Sequence, residues 1–287
     1  MILISGATGT IGSRIMPILV SQGHAVRAMS RRPDAIPAID GVDVVAADFD
    51  DPASLAAAVD GITALFLVTM YPSAEPKHDQ AMLTAAAEAG VSRVVKLSAI
   101  GTGERLDAET TVGGWHLAAE QAVTTSGLSW TLLRPSTFAS NLLTFASLIE
   151  SGRPLPDPAG GARQGVIDPV DVAAVAAEAL TGAGHAGRTY TLTGPESLSL
   201  DEQAEILRRV LERPISTVDL TLAEAREQLL AVGRSPAAAD MALTGVAWVR
   251  RGHNAVVTDD VARVLGRPPT DFESWARANR AGFLGAA

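Results

Sequence analysis

The sequence predicts an α/β chain, with a doubly wound, mainly parallel sheet followed by a smaller, mostly helical C-terminal unit. Three observations predict it. Apolar runs of strand length alternate with segments of helical apolar spacing from Ile2 to Leu133. A glycine cluster, Gly6 to Gly12, separates the first run from the first helical segment. Beyond Ser199, helical patterns dominate. Alternation of this kind implies right-handed crossovers and a parallel sheet covered on both faces, whose strands read as continuous apolar runs.

Residues 2–5 are the first such run, and Ile11, Ile15, Ile18 and Leu19 then mark one helix face. Strands are expected over residues 25–29, 42–46, 62–68 and 92–98, with helices over 51–59 and 74–89. The loop 101–114 leads into a helix over 115–125, the turn Ser126-Gly127 and a strand over 130–133 that ends in Arg134-Pro135. Residues 151–165 are rich in Pro and Gly and read as a boundary or a lid. A first domain over 1–150 follows, with a helix over 167–180 and a strand over 188–192 returning to it around 165–195. Asp168 and Asp171 read as the cap and first-turn acid of that helix. The smaller region, 196–287, carries helical patterns over 200–211, 222–230 and 271–283.

Composition removes several function classes. With 47% hydrophobic and 19% charged residues in 287, the chain buries a core and is not a disordered segment. Asp plus Glu number 32 against 23 Lys plus Arg, a net charge of −9, the wrong sign for gripping a phosphate backbone, so no nucleic-acid partner is expected. The absence of cysteine excludes disulfides, thiolate metal sites and thiol nucleophiles, and agrees with a reducing compartment. No histidine pair has metal-ligand spacing and no G-x-S-x-G elbow occurs, so no metal is expected. The opening Met1-Ile2-Leu3-Ile4-Ser5-Gly6 has no basic n-region, and no apolar run reaches the ~18 residues of a membrane span; a cytoplasmic protein without a membrane partner is expected.

The glycine cluster carries the chemistry. Gly6-Ala7-Thr8-Gly9-Thr10-Ile11-Gly12 lies between a strand and a helix, where backbone N–H groups and the helix N-terminus together receive a diphosphate. Gly6 serves the tight turn, Gly9 the close approach and Gly12 the helix–strand contact, the context of a Rossmann dinucleotide fingerprint. Gly6, Thr8, Gly9, Thr10, Ile11 and Gly12 are therefore assigned to a cofactor; the alternative is a purely structural turn. The loop lacks the terminal Lys-Ser/Thr of a P-loop.

At the end of the second strand, NAD sites place an acid on the ribose 2′-hydroxyl, whereas a 2′-phosphate needs positive charge. Here the chain reads Arg27-Ala28-Met29-Ser30-Arg31-Arg32, with no acid before Asp34. Arg31 or Arg32 can pair with the phosphate and Ser30 can donate to it, which favours NADP(H) over NAD(H). The alternative is two solvated arginines at a strand end.

With these pieces the sequence resembles the NmrA-like branch of the extended short-chain dehydrogenase/reductase superfamily. The resemblance rests on the glycine loop, Ala47-Asp48-Phe49-Asp50-Asp51-Pro52, Leu65-Phe66-Leu67-Val68, Val94-Val95-Lys96-Leu97-Ser98-Ala99-Ile100-Gly101 and Ser126-Gly127-Leu128-Ser129-Trp130-Thr131-Leu132-Leu133-Arg134-Pro135. It implies that Asp48 and Phe49 flank the adenine, that Val68 and Thr69 lie along the ribose and diphosphate, and that Pro135, Thr137 and Phe138 line the nicotinamide. The superfamily's catalytic pair, a tyrosine with a lysine four residues later, is absent. The tyrosines are Tyr71 and Tyr190 and the lysines Lys77 and Lys96. Matching the helix by Ala119-Glu120 and the turn that follows puts His116 at the lysine position and Val112 at the tyrosine position. Many NmrA-like proteins have lost the tyrosine too.

A ketone that receives a hydride becomes an alkoxide and needs a positioned acid, whereas a quinone or conjugated enone becomes a delocalised anion that solvent can protonate. The missing tyrosine therefore points to an NADPH-dependent oxidoreductase acting on a small conjugated or quinone-like molecule. A non-catalytic NADP(H) sensor acting through a protein partner is the alternative. His116, with a pKa suited to neutral pH, is a candidate for ribose binding or proton donation, against a packing histidine. Ser98, at a strand's carboxyl end, either bonds substrate or nicotinamide or caps the loop. Lys96 shares the face of Ser98 by period two or snorkels outward. Trp115, Asn141 and Phe145 are pocket candidates or ordinary packing.

Overall fold

The computed structural model describes residues 1–69 and 75–285. Its main sheet has seven strands: β1 (Ile2–Ile4), β2 (Val26–Ser30), β3 (Val42–Ala46), β4 (Ala64–Leu67), β5 (Arg93–Leu97), β6 (Ser129–Pro135) and β8 (Arg188–Leu192). They lie in the order β3-β2-β1-β4-β5-β6-β8, and the pairings from β3 through β6 are all parallel. Between β1 and β4 the strand order reverses, and the carboxyl ends of those strands form the switch point where doubly wound sheets take ligands. The sheet expected from the sequence is thus present, with ends that differ by one or two residues.

The helices α1 (Gly12–Ser21), α2 (Pro52–Val59), α3 (Lys77–Glu88), α4 (Gly114–Thr124) and α6 (Pro169–Thr181) form on local signals. Asp51 caps α2 by accepting from the Ala53 N–H, and Pro52 presets the first turn. Ala74, expected at the start of α3, lies outside the described residues. Val172, Ala173, Val175, Ala176, Ala177 and Ala179 of α6 have no exposed surface, and α6 packs against α1 and against β4 and β5. Opposite packing by α2, α3 and α4 seals a core of Leu3, Leu55, Leu65, Leu67, Met82 and Val94.

The chain divides into two compact units whose segments interleave along the sequence. The first comprises Met1–Ala99, Gly114–Arg134 and Pro169–Tyr190; the second comprises Ile100–Gly113, Pro135–Asp168 and Thr191–Ala287. In the second, α5 (Ala146–Glu150), α7 (Leu200–Leu211), α8 (Leu222–Ala231), α9 (Pro236–Arg250), α10 (Asp260–Leu265), α11 (Phe272–Ala278) and α12 (Arg280–Phe283) dominate. Ser199 with Glu202 and Thr221 with Glu224 make reciprocal capping boxes at α7 and α8. The helix expected over 271–283 is two helices, divided at Asn279. Helix α9 escaped the sequence pattern because its alanine-rich stretch has no clear apolar period; its signal was the Ser235-Pro236 cap and first turn.

Residues 151–165, read from the sequence as a boundary or a lid, carry regular structure. They contain β7 (Leu155–Asp157), paired with β9 (Thr217–Asp219), and Leu155 is fully buried. The Asp157 carboxylate accepts from the backbone N–H groups of Ala159 and Gly161, which fixes the turn that Pro and Gly only suggested. Trp275 and Phe283 meet edge to face at 5.9 Å in the core of this unit. No helix among the described residues is long and apolar enough to cross a membrane.

Candidate active site

The loop after β1 is held by its own glycines. Gly6 has φ +61°, and a Cβ there would lie 2.3 Å from Val68 Cγ1. A Cβ on Gly12 would lie 2.3 Å from the Gly6 carbonyl oxygen and 2.9 Å from its carbon, so helix α1 begins in contact with loop backbone. Gly9, whose N–H donates to the Gly6 carbonyl, would place a Cβ 3.1 Å from that oxygen and near nothing else, leaving its outer side open. Thr8 and Thr10 are exposed, whereas the Ile11 side chain is buried and only its backbone can face a ligand. Ser5 ties the loop to the end of β4, accepting from the Val68 N–H at 2.8 Å. Open backbone at a helix N-terminus beside the switch point suits a diphosphate. Arg14, on the first turn of α1, donates to the Thr10 carbonyl at 2.6 Å and brings a cation to the loop that sequence reading missed; its place one turn beyond Thr10 was the available signal.

At the end of β2, Arg31 and Arg32 are exposed, and no carboxylate pairs with either among the described residues. Ser30 is engaged locally, its hydroxyl donating to the Arg32 carbonyl and accepting from the Arg32 N–H. At the end of β3, Asp48 accepts from the Asp50 N–H, and the half-buried Phe49 ring packs at the edge of the first unit's core.

A buried polar cluster lies along β5, β6 and α4. Lys96 does not snorkel; it has no exposed surface, because β5 is central and the ammonium finds partners inside. Its Nζ lies 2.7 Å from Asp79 Oδ1, an ion-pair contact off the hydrogen-bond axis, and donates to Thr69 Oγ1 at 3.0 Å. Thr69 in turn donates to Asp79 Oδ2 at 2.8 Å, so its hydroxyl is engaged within the protein and only its backbone is left for a cofactor. Burial pulls the Lys96 pKa below its ordinary value, and Asp79 opposes the pull. Ser98 Oγ donates to Glu120 Oε1 at 2.5 Å, and Arg134 holds the same carboxylate through Nε at 2.9 Å and Nη2 at 2.6 Å. Lys96, Asp79 and Glu120 thus have their charges balanced out of water, Glu120 by the partly exposed Arg134.

His116 is neutral in this setting. Burial, then the Lys96 charge, then Arg134, push its pKa down to about 3, not to the neutral range expected from the residue type. Its ring stacks on Trp115 at 3.6 Å, and its buried Nδ1 has no hydrogen-bond partner among the described residues. An unsatisfied buried nitrogen is disfavoured unless a ligand supplies the bond, and a sugar hydroxyl suits it. The glycine loop, the unpaired arginines and this nitrogen fit a pyridine dinucleotide. Val112, at the missing tyrosine's position, is a buried aliphatic. Tyr190 bonds His185 Nδ1 at 2.8 Å, and Tyr71 lies outside the described residues.

The remaining candidates lie in the second unit. Pro135 accepts from the Ile100 N–H, the Thr137 hydroxyl donates to Gln164, and Phe138 bridges Ile167. Phe145 packs on the core of that unit, on a 3₁₀ turn, and Asn141 is exposed. Sequence reading named Ser98 and His116 but missed Asp79, Glu120 and Arg134 as their setting. The four-residue spacing of His116 and Glu120 on one helix was the available signal.

Comparison with known proteins agrees with this reading. The model of an NAD(P)H-binding family matches residues 6–183. The (4-alkanoyl-5-oxo-2,5-dihydrofuran-3-yl)methyl phosphate reductase of Streptomyces griseus is 40% identical over 284 residues, 99% of each chain. The NAD(P)H azoreductase of Xenophilus azovorans is 35% identical over 291 residues, covering 100% of both. Among solved structures, the NADPH-dependent quinone oxidoreductase of Escherichia coli complexed with NADPH superposes with TM-score 0.83 at 25% identity, over 97% of this chain and 99% of that one. The chain belongs to the NAD(P)H-binding family, in the NmrA-like, atypical branch of the short-chain dehydrogenase/reductase superfamily.

Proposed function

We propose that this NAD(P)H-dependent oxidoreductase uses NADPH to reduce a small conjugated or quinone-like acceptor, without a proton supplied by a tyrosine. One observation carries the reading: among the described residues, the side chains at His116 offer no ready acid for an alkoxide. His116 is neutral and the Ser98 proton is engaged by Glu120, and the sequence has valine at position 112. Bound NADPH supplies a hydride. The protein's own task is to hold and orient, and the acceptor's delocalised anion takes its proton from water. The relatives' names, an azoreductase, a quinone oxidoreductase and a reductase of an alkanoyl-dihydrofuranone methyl phosphate, support the same class.

In this reading the glycine loop receives the diphosphate, and His116 Nδ1 bonds a ribose hydroxyl in place of the superfamily's lysine. Arg31 and Arg32 favour the 2′-phosphate. The test is NADPH and NADH oxidation against a panel of quinones, enones and saturated ketones. Conjugated acceptors are expected to turn over, and R31A/R32A to raise the KM for NADPH about 10- to 100-fold, the worth of one charge-assisted bond, while sparing NADH. Faster reduction of saturated ketones, or cofactor binding with no turnover of any acceptor, overturns the reading.

A further inference from the structure

We infer that His78 is a positioning residue for the adenine end of the cofactor, acting by holding the Phe49 ring. The inference rests on the NADPH reading above and on the family resemblance that implies Phe49 beside the adenine, and it names a residue that neither uses. The two rings stack with centroids 5.3 Å apart and planes 14° from parallel. His78 Nε2 lies 3.3 Å from Asp50 Oδ2, and Lys77 Nζ donates to Asp50 Oδ1 at 2.5 Å. Asp50 is the neighbour of Phe49 in the chain. A closed circuit results, from the Phe49 ring to the imidazole, to the Asp50 carboxylate and back along the backbone.

A benzyl group on a loop beyond a strand end otherwise exchanges among its rotamers. Stacking on one face and the tether through Asp50 select one of them, so that a flat apolar surface stands ready for a flat base. The helix supplying His78 is anchored by its neighbours: Lys77 reaches the end of β3, and Asp79 reaches Thr69 after β4 and Lys96 on β5. Three consecutive side chains of α3 thus tie the first turn of the helix to the segment after β3 and to the carboxyl-end regions of β4 and β5. With 13% of its side chain exposed, His78 is held between Phe49 and Asp50 and not solvated.

The experiment titrates the full-length wild type, H78A, H78F and F49A with NADPH, adenosine 2′,5′-bisphosphate and nicotinamide mononucleotide, alongside steady-state kinetics. H78A is expected to bind NADPH and the bisphosphate about five- to tenfold more weakly. The loss appears in the KM for NADPH and not in kcat, and the mononucleotide is unaffected. H78F, which keeps the stack, recovers most of the affinity, and F49A/H78A binds no more weakly than F49A. Unchanged affinity in H78A, equal losses in H78F and H78A, or a fall in kcat at unchanged KM overturns the inference while leaving the NADPH reading intact. Failure of the wild type to bind either NADPH or the bisphosphate overturns both.

Discussion

Acidification tests the environment of His116 directly. In the unfolded chain its imidazole takes a proton at the ordinary value of 6.5, whereas in the folded protein it stays neutral down to about 3. Between those values the unfolded state binds more protons, so stability falls as pH drops from 6.5 toward 3, and His116 adds no pH dependence above 6.5. Each pH unit inside the window removes about 1.4 kcal/mol, and at pH 5 the loss is about 2 kcal/mol. At about 2–4 °C per kcal/mol that is a Tm shift of about 4–8 °C. Thermal unfolding of wild type and H116Q, measured at several pH values between about 7.5 and 5, isolates the effect, because glutamine does not titrate and the carboxylates contribute equally to both curves. The wild type is expected to lose about 2 kcal/mol relative to the variant across this range. Parallel curves, or a wild type that gains on the variant in acid, would refute the neutral, charge-flanked imidazole and with it the reading that no protein acid serves the reaction.

Two further perturbations address the frame of the site. Gly12→Ala drives a Cβ against Gly6 backbone that has nowhere to go, so a loss of about 1–3 kcal/mol is expected, with NADPH affinity falling alongside it. Gly9→Ala meets a single atom, the Gly6 carbonyl oxygen at 3.1 Å, and is expected to cost less stability than Gly12→Ala yet weaken NADPH binding; calorimetry with fluorescence titration separates the two, and the reverse order rejects the loop's assignment. Lys96→Met strands the Asp79 carboxylate in the interior and is expected to destabilise by about 3–5 kcal/mol in denaturant unfolding, with K96M/D79N recovering most of it. A single-variant loss below about 1 kcal/mol would mean that water reaches the pair.

The sheet was legible because its signals are local. Residues 42–46, 188–192 and 200–211 read as strand, strand and helix from their own apolar period, and the structure places elements at those bounds. The glycine loop was legible for the same reason, since spacing alone sets which backbone positions lack a Cβ. The strand within residues 151–165 was not legible because Pro and Gly mark both boundaries and tight turns, and its pairing partner is β9, some 60 residues further on. The fate of Lys96 was equally illegible: period two gives its face but not what lies across from it, and Asp79 comes from another element.

The sequence by itself determined the order of strands and helices, the open glycine backbone at the first turn, the arginines without an acid at the second strand, and the absence of a tyrosine–lysine pair. Tertiary structure alone decided that Thr69 turns inward, that the Ser98 hydroxyl donates a hydrogen bond to Glu120, and that His116 is held neutral. The physical reason is range. Backbone conformation and apolar period are set by residues a few positions apart, whereas a side chain's charge state depends on the water it loses and the charges it gains, and both come from segments distant in the chain.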